Sequence, residues 1–462
     1  MLTTLSVGIQ RPLFSFPLSQ RCLLLLRSFT ALAHADQVPV DTECSEFLPW
    51  LTHKSGTEIS SVLSIGKSNY GRSLFACKHI QPGDCILKVP FSMQLAPDNL
   101  LPSISSLLAD DINNVAKLAL FILLHQKLGP ASEWAPYIRC LPPVTDLHSS
   151  IFWSDEELKM IEICSLYQET LKHKAQIEND FSSIKHVLDR FPEYFEDVTL
   201  HKFMHAYNLV ESRAWVSTRG ISMIPFADFF NHDTFSETDV LNDDFTQVSE
   251  VISDENYAPG DEVLIRYGKF SNARLLLDFG FIPPSNKYDK VQFEVSVPQH
   301  DHLRGMKLDL LSRHSTPASN DVNDLSSGGN AFTVMEVKPS SGKGRGIPQS
   351  LRAFARVLCC TSPQELQDLA TKATKNDGRL ARVPFKNRAK EVEAHQLLHL
   401  KFSHMIDNYN AALESLSCHR SPLSGKRTQR MKMARDLLTG ELRILESASS
   451  WLNNYCKTLN DQ

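Results

Sequence analysis

Two short segments of the sequence place chemically capable side chains beside apolar ones. In Pro225–His232 an Asn231-His232 dipeptide follows an apolar run, and a second segment begins with Tyr267 at the end of a predicted strand. Polar groups where burial is expected must be satisfied by hydrogen bonds or by a ligand. From the residues alone, a structural and a functional role for Asn231 and His232 are equally supported. The hydroxyl of Tyr267 can face a cavity.

The patterns that bind metal ions are incomplete in this sequence. His201 and His205 have the spacing of two zinc ligands on a helix, but Lys202 stands where a metalloprotease has its general base. The acidic stretch 233–244 lacks the glycine of a calcium loop, and a solvated loop that attracts a basic substrate is the alternative. The ten cysteines include no C-x-x-C pair. We therefore predict no metal site.

Apolar periodicity divides the chain into blocks of strands and helices. Two strand-rich blocks, each with a Pro-Gly-Asp turn, flank a helical block of roughly 110 residues. Segment 66–73 nearly spells a phosphate-binding loop but precedes a predicted strand, so we predict a turn between strands. The predicted strands are 62–65, 74–80, 85–89, 221–225, 248–252, 262–267 and 291–297. The predicted helices are 111–127, 154–161, 199–213, one beginning at Ser362, 387–416 and 426–459.

The composition is that of a folded globular protein. The 462 residues are 42% hydrophobic and 22% charged, which is far from a disordered composition and leaves room for about three domains. The net charge of −5 provides no positive field for nucleic acid. Because no stretch approaches the ~20 apolar residues of a membrane helix, we expect neither nucleic acid nor membrane as a partner.

The first 36 residues have the composition of a targeting segment. They contain no acidic residue before Asp36 but carry Arg11, Arg21 and Arg27 among serines and leucines. Such a leader indicates an organellar transit peptide, for chloroplast or mitochondrion. Cytoplasm or nucleus is the expectation if the leader is not a transit peptide.

Several motifs together resemble the SET-domain protein-lysine methyltransferases, in particular the Rubisco large-subunit methyltransferase family. They are the Asn-His pair, a downstream tyrosine followed by Ser-Asn-Ala, and the Asp-Phe-Gly-Phe sequence at 278–281. Segments 134–138, 152–154 and 212–215 are similar to the family's helical insertion and its arginine motif. The order and spacing of these motifs, more than any one alone, carry the resemblance.

The resemblance implies a role for each residue that matches a family motif. Tyr267 would be catalytic, and Asp228 with Tyr267 would shape the substrate channel. Arg213 would pair with the carboxylate of S-adenosylmethionine, for which a guanidinium fork is suited. The residues implied to bind this cofactor are Tyr70, Gly71, Arg72, Arg213, Asn231, His232, Phe279, Gly280 and Phe281.

The resemblance also implies an architecture of the α+β class. After a transit peptide at 1–36, residues 46–290 would form a knotted SET β-fold split by a helical insertion at about 95–210. Residues 291–462 would form a mostly α-helical substrate-binding domain of the Rubisco-methyltransferase type. The block pattern of strands, helices, strands and helices agrees with that arrangement.

The implied activity is S-adenosylmethionine-dependent N-methylation of lysine in a non-histone protein. Methyl transfer to an amine is an in-line displacement, and only neutral lysine, with a reference pKa of about 10.4, has the lone pair. A narrow channel would disfavour the ammonium by desolvation. Rubisco, aldolase or another organellar protein is the implied substrate, and a monomer is the default.

Two positions depart from the family pattern and keep alternatives open. Ser73 stands where the first motif usually has a second glycine, and Phe279 replaces a tyrosine found in some members. The second change removes a hydroxyl that restricts rotation of a methylated amine, so the number of methyl groups added stays open. A relative of the same architecture methylates histidine in actin. Protein-histidine methylation and a catalytically silent SET scaffold that binds a protein partner are therefore the alternatives.

Overall fold

A computed structural model describes most of the chain downstream of the leader. The described residues are 41–217, 220–314, 331–338, 344–376, 378–380, 384–418 and 425–461. The predicted transit peptide at 1–36 lies outside them. So does the stretch 315–329, which is rich in Ser, Asn, Asp and Gly, a composition that predicts a loop. In the part of the chain that the structure describes, no helix is long and apolar enough to cross a membrane.

Short strands form several small sheets in place of one large sheet. The hairpin β1–β2 and the hairpin β4–β5 are antiparallel, β7 and β3 flank β8 in a three-stranded sheet, and β6 runs parallel to β9. Strands β10 and β11 form a further hairpin. The strands are β1 (Leu63–Ser68), β2 (Gly71–Ala76), β3 (Cys85–Pro90), β4 (Ala214–Ser217), β5 (Gly220–Met223), β6 (Asn231–His232), β7 (Val240–Asp243), β8 (Val248–Ile252), β9 (Leu264–Ile265), β10 (Lys290–Glu294) and β11 (Ala331–Met335).

Helices fill the interval between β3 and β4 and most of the chain after β10. The helices of the N-terminal half are α1 (Phe47–Ser55), α2 (Pro102–Ser105), α3 (Asn114–Leu128), α4 (Ala135–Cys140), α5 (Asp155–Leu158), α6 (Ser165–Arg190), α7 (Pro192–Phe195), α8 (Leu200–Glu211) and α9 (Asn272–Asp278). The later helices are α10 (Arg304–His314), α11 (Gln349–Leu358), α12 (Pro363–Asn376), α13 (Arg388–Cys418) and α14 (Gly425–Asp461).

Local sequence signals explain where several of these helices begin. The side chains of Asn113 and Thr199 cap α3 and α8 by accepting backbone N–H groups. Ser154 and Glu157 form the predicted capping box at the start of α5. The predicted helices therefore begin within three residues of their observed starts, because capping depends on neighbours in sequence.

One apolar core runs through both halves of the molecule. The central helix α3 is buried over most of its length, and Trp153, Phe203 and Leu209 join the same cluster from the other helices between β3 and β4. The long helices α13 and α14 pack on each other and add Phe402 and Leu445 to it. This shared core holds the strands near β6 and β9 in place.

The predicted α+β class is confirmed, with differences at some boundaries. The strand predicted at 262–267 is reduced to β9, Leu264–Ile265, so Tyr267 follows the strand by two residues. Strand β10 begins at Lys290 and crosses the predicted boundary at 290/291. Segment 66–73 forms the β1–β2 hairpin, as predicted, and no helix follows it that could hold a phosphate.

Candidate active site

The short parallel pair β6–β9 brings Tyr267 to the Asn-His dipeptide. Asn231 pairs with Leu264 and His232 with Ile265. The backbone N–H of Tyr267 then donates to Nδ1 of His232 at 3.1 Å, so the neutral ring carries its proton on Nε2. Burial lowers the pKa of His232 to about 4, which keeps the ring uncharged at neutral pH.

The side chain of Asn231 joins strand β1 and the segment before β9 to this point. Its Nδ2 donates to the hydroxyl of Ser68 at 3.1 Å and to Oε1 of Glu262 at 3.0 Å. Ser68 ends β1 at the tight turn before Gly71, whose φ of 103° is in the left-handed region that favours glycine. The amide thus fixes the turn of the first hairpin against the Asn-His dipeptide.

The hydroxyl of Tyr267 is anchored at the same dipeptide. It donates to the carbonyl oxygen of Phe230 at 2.6 Å, and its ring lies 5.2 Å from the ring of His232. Burial raises the pKa of Tyr267, so the phenol keeps its proton. A neutral phenol whose oxygen retains acceptor capacity is therefore held beside the backbone of 230–232.

Aromatic rings form a wall around Tyr267. The ring of Phe279 lies 4.9 Å from that of Tyr267, and the ring of Phe281 lies 6.0 Å from His232 and 6.2 Å from Tyr70. Tyr70 is 57% exposed and therefore stands at the outer rim of this group. The wall gives the site an apolar side on which a flat or apolar ligand group can pack.

Gly280, between the two phenylalanines, allows a close approach of two chain segments. Its φ is 77°, and a Cβ there would lie 2.5 Å from the backbone nitrogen of Ser149. Any other residue would be strained and would clash with that backbone. The absence of a side chain at 280 therefore lets the segment after α9 rest on the loop before α5 and fixes both flanking rings.

A buried ion pair lies behind the tyrosine. Nη1 of Arg213 donates to the backbone carbonyl of Asp228 at 2.7 Å and approaches its Oδ2 at 3.3 Å, while the guanidinium stacks over the ring of Phe229. The hydroxyl of Tyr137 donates to the same Oδ2 at 2.8 Å. Oδ1 of Asp228 is buried and has no hydrogen-bond partner among the described residues. Burial raises the pKa of Asp228.

The backbone that carries Asp228 is strained. Phe226 has a φ of 79° although it is not glycine, and a single 3₁₀ turn, Ala227–Phe229, follows it. Strained backbone of this kind persists where the surrounding packing over-determines it, and it is frequent at functional sites. Phe226 is fully buried, so the core supplies that restraint.

The structure brings most of the residues implied by the resemblance into one region. Asn231, His232, Tyr267, Phe279 and Phe281 are linked by the hydrogen bonds and ring contacts above. Arg213 and Asp228 form their own pair next to Phe230. The residues at the rim and in the two close turns are Tyr70, Gly71 and Gly280.

The side chain of Arg72 contacts three groups of the chain itself. Its guanidinium binds Oδ2 of Asp41 at 2.7 Å, a carboxylate oxygen of Glu43 and the backbone carbonyl of Cys140. These contacts fasten β2 to the first described residues and to α4. The cofactor contact that the resemblance implied for Arg72 stays a prediction.

Two residues of the site were not assigned a role from the sequence. Tyr137 lies in a segment that carried the resemblance, but its partner Asp228 is 91 residues away. Glu262 is a carboxylate directly before the apolar run at 263–265, a signal that could have indicated a polar partner. The identity of that partner, Asn231, depends on strand pairing that the sequence does not display.

The comparisons with known proteins fit this geometry. A family model described as Rubisco LSMT substrate-binding matches residues 298–445. The Rubisco large-subunit N-methyltransferase of Nicotiana tabacum is 29% identical over 286 residues, covering 59% of this chain and 57% of the relative. The [fructose-bisphosphate aldolase]-lysine N-methyltransferase of Arabidopsis thaliana is 27% identical, covering 65% of this chain and 63% of the relative. Both relatives are described as chloroplastic.

Further comparisons extend over more of the chain. The actin-histidine N-methyltransferase of Mus musculus is 24% identical, covering 87% of this chain and 67% of the relative. A solved structure of Rubisco LSMT bound to sinefungin and monomethyllysine superposes with a TM-score of 0.70 at 20% identity, covering 91% of this chain and 94% of that one. The matches span about three fifths of the plant relatives' own length. By sequence the chain is similar to the Rubisco large-subunit methyltransferases and their relatives, and its fold is that of the solved Rubisco LSMT structures.

Proposed function

We propose that the chain is an S-adenosylmethionine-dependent protein-lysine N-methyltransferase that acts on a non-histone protein. The observation that carries the proposal is the placement of the Tyr267 hydroxyl on the carbonyl of Phe230, directly beside the Asn231-His232 strand. Two plant relatives that methylate Rubisco and aldolase support the activity, and so does the solved relative bound to sinefungin and monomethyllysine.

The residues present fit the proposed cofactor. The guanidinium of Arg213 has five N–H donors, and its hydrogen bonds within the described chain come from Nη1. Its side chain is 16% exposed, so other donors can reach a ligand carboxylate. The rings of Phe281 and Tyr70 offer an apolar face, and the turn at Gly71 allows close backbone approach. When bound, S-adenosylmethionine supplies a methyl group activated by a sulfonium.

The remaining work falls to groups of the chain. The oxygen of Tyr267 retains acceptor capacity that can orient an amine, and the wall of Phe279 and Phe281 excludes water from its surroundings. An apolar setting disfavours an ammonium ion and so favours the neutral amine that can attack. Asp228, whose backbone carbonyl and side chain hold Arg213, keeps the cationic fork in place beside the site.

The remaining proposals concern organisation, partner and compartment. Residues 46–290 form the SET domain with its insertion at about 95–210, and 291–462 bind the substrate protein, which agrees with the family match at 298–445. A large organellar protein such as Rubisco or aldolase is the proposed partner, and a monomer is the proposed state. The leader composition and the chloroplastic plant relatives favour a plastid.

Methylation of a protein histidine is the second candidate. The mouse actin-histidine N-methyltransferase matches 87% of this chain, more than the plant relatives do. A neutral imidazole needs no deprotonation before it attacks, so the same neutral site would serve it. Identifying the methylated residue by mass spectrometry, after incubation with labelled cofactor and a methylation-deficient organelle extract, separates the two candidates.

The variant Tyr267→Phe tests the proposed activity. Removal of one hydroxyl is expected to reduce methyl transfer at least tenfold, because orientation of the amine is lost, and to leave calorimetric binding of S-adenosylmethionine largely intact. Tyr194→Phe, in helix α7, is the control and should retain full turnover. Unchanged turnover in Tyr267→Phe would contradict the role of the tyrosine. Cofactor binding without any methyl transfer by the natural sequence would favour the silent scaffold.

A further inference from the structure

Tyr137 connects the helical insertion to the buried ion pair of the site. It lies in α4, is fully buried, and packs against the ring of Phe47 at 5.5 Å. Its hydroxyl donates to Oδ2 of Asp228 at 2.8 Å. A residue 91 positions earlier in the chain therefore supplies the neutral donor to this carboxylate.

The hydrogen bonds of Asp228 are distributed unevenly between its two oxygens. Oδ2 accepts from Tyr137 and is 3.3 Å from Nη1 of Arg213, whereas Oδ1 is buried without a partner among the described residues. A buried carboxylate with one unsatisfied oxygen is costly to keep ionised. Among the described residues, two side chains contact the carboxylate of Asp228, those of Tyr137 and Arg213. The ionised state of Asp228 thus depends on these two contacts.

We propose that Tyr137 is a positioning residue, which acts through Asp228 to hold the guanidinium of Arg213 in the orientation that receives the carboxylate of the cofactor. This inference rests on the proposed function, in which Arg213 binds that carboxylate. The phenol of Tyr137 stabilises the ionised carboxylate of Asp228. The ionised carboxylate binds Nη1 of Arg213, so the other N–H groups of the guanidinium can point toward the ligand.

The charged and titratable groups around Asp228 predict a measurable signature. Burial raises the pKa of Asp228, and contacts with Arg213 and Tyr137 oppose that rise. Tyr267 and Cys140 also face this network and keep their protons. Burial raises the pKa of Tyr267, and a hydrogen bond that the Cys140 thiol donates to Cys44, followed by burial, raises the pKa of Cys140. Removal of the Tyr137 hydroxyl therefore raises the pKa of Asp228 further.

Tyr207 provides a matched control. It is as deeply buried as Tyr137, and its hydroxyl donates to Oδ2 of Asp180 at 2.9 Å, in the contact between α6 and α8. The variants Tyr137→Phe and Tyr207→Phe thus remove the same chemical group from the same kind of hydrogen bond. Only the hydroxyl of Tyr137 contacts Asp228. Titratable groups elsewhere in the protein are the same in both variants, so a difference between their pH profiles reports on Asp228.

The experiment is calorimetric titration of the full chain with S-adenosylhomocysteine from pH 4 to pH 8, a range that begins close to the ordinary value of 3.8 above which the pKa of Asp228 is raised. We expect affinity to fall on acidification as Asp228 takes up a proton, and the midpoint of that fall to move up by about one pH unit in Tyr137→Phe. At pH 8 the two proteins should bind within twofold of each other, and Tyr207→Phe should follow the natural sequence throughout.

The outcomes separate this inference from the proposed function. Superimposed pH profiles for Tyr137→Phe and the natural sequence overturn the positioning role and leave the proposed function standing. A loss of affinity in Tyr137→Phe that has the same size at every pH indicates a packing defect and also overturns it. If the natural sequence does not bind S-adenosylhomocysteine at all, the cofactor assignment fails, and this inference fails with it.

Discussion

Two of the buried arginine–carboxylate pairs among the described residues are built differently. In the C-terminal half, Glu391 accepts from Nη2 and Nε of Arg356 at 2.6 and 2.9 Å, and its second oxygen also accepts the backbone N–H of Phe385 at 3.0 Å. In the candidate active site, Arg213 donates to the backbone carbonyl of Asp228 at 2.7 Å and reaches only one of its two carboxylate oxygens, at 3.3 Å. Both carboxylates are shielded from solvent.

The pKa values of the two carboxylates move in opposite directions. Burial alone would raise the pKa of Glu391, but the hydrogen bonds and charge of Arg356 outweigh burial and lower it. For Asp228 burial prevails and the pKa is raised. With one oxygen unsatisfied, Asp228 is therefore more costly to keep ionised than Glu391, whose two oxygens both accept hydrogen bonds.

The largest effect on stability is expected from breaking the pair of Arg356 and Glu391. Glu391→Ala leaves Arg356 buried without its counter-charge and should lower the free energy of unfolding by about 3–5 kcal/mol. Urea denaturation of the full chain measures the loss. If the free energy of unfolding falls by less than about 1 kcal/mol, the pair of Arg356 and Glu391 contributes no more than an exposed ion pair. The proposed difference between Glu391 and Asp228 would then be wrong.

The free energy of unfolding, measured as a function of pH, should change in opposite directions for variants of Glu391 and of Asp228. The lowered pKa of Glu391 contributes stability above its unfolded pKa near 4.5 that is lost as pH falls. The raised pKa of Asp228 imposes a cost that grows as pH rises above 3.8. Between pH 3.5 and 7, Glu391→Gln should therefore become more destabilising as pH rises, while Asp228→Asn becomes less so. Parallel trends would contradict the assigned directions.

The smallest effect is expected at an exposed pair. Arg313 and Asp309 form an ion pair on helix α10 with 64% and 54% of their side chains exposed. Since solvent screens such pairs, Asp309→Ala should change the free energy of unfolding by no more than about 1 kcal/mol. Urea denaturation provides the measurement. A loss as large as that of Glu391→Ala would show that burial does not determine how much an ion pair contributes to the free energy of unfolding.

Elements that depend on neighbouring residues were predictable from the sequence. The capping box of Ser154 and Glu157, strand β8 and the hairpin at 66–73 were all predicted close to their observed bounds. Helix starts and tight turns are fixed by hydrogen bonds within about four residues, so the local sequence contains what is needed.

Elements that depend on long-range pairing were predicted less well. The strand predicted at 262–267 is reduced to Leu264–Ile265, which pairs with the two-residue strand β6, while Glu262 makes an isolated bridge to Phe75 of β2. The guanidinium of Arg72 binds Asp41 and Glu43, about thirty positions away. No periodicity in the sequence reports such contacts, because they arise when segments far apart in the chain are packed together.

The sequence by itself determined the types and order of the residues in the site, including the Asn-His pair, Tyr267 and the aromatic segment at 279–281. Only the tertiary structure decided that Tyr137 donates a hydrogen bond to Asp228 and that Arg213 contacts the same carboxylate. It also decided that Gly280 packs closely against the backbone at 148–149. The physical reason is that burial and strand pairing set the partner, charge and orientation of each group, and both depend on the whole folded chain.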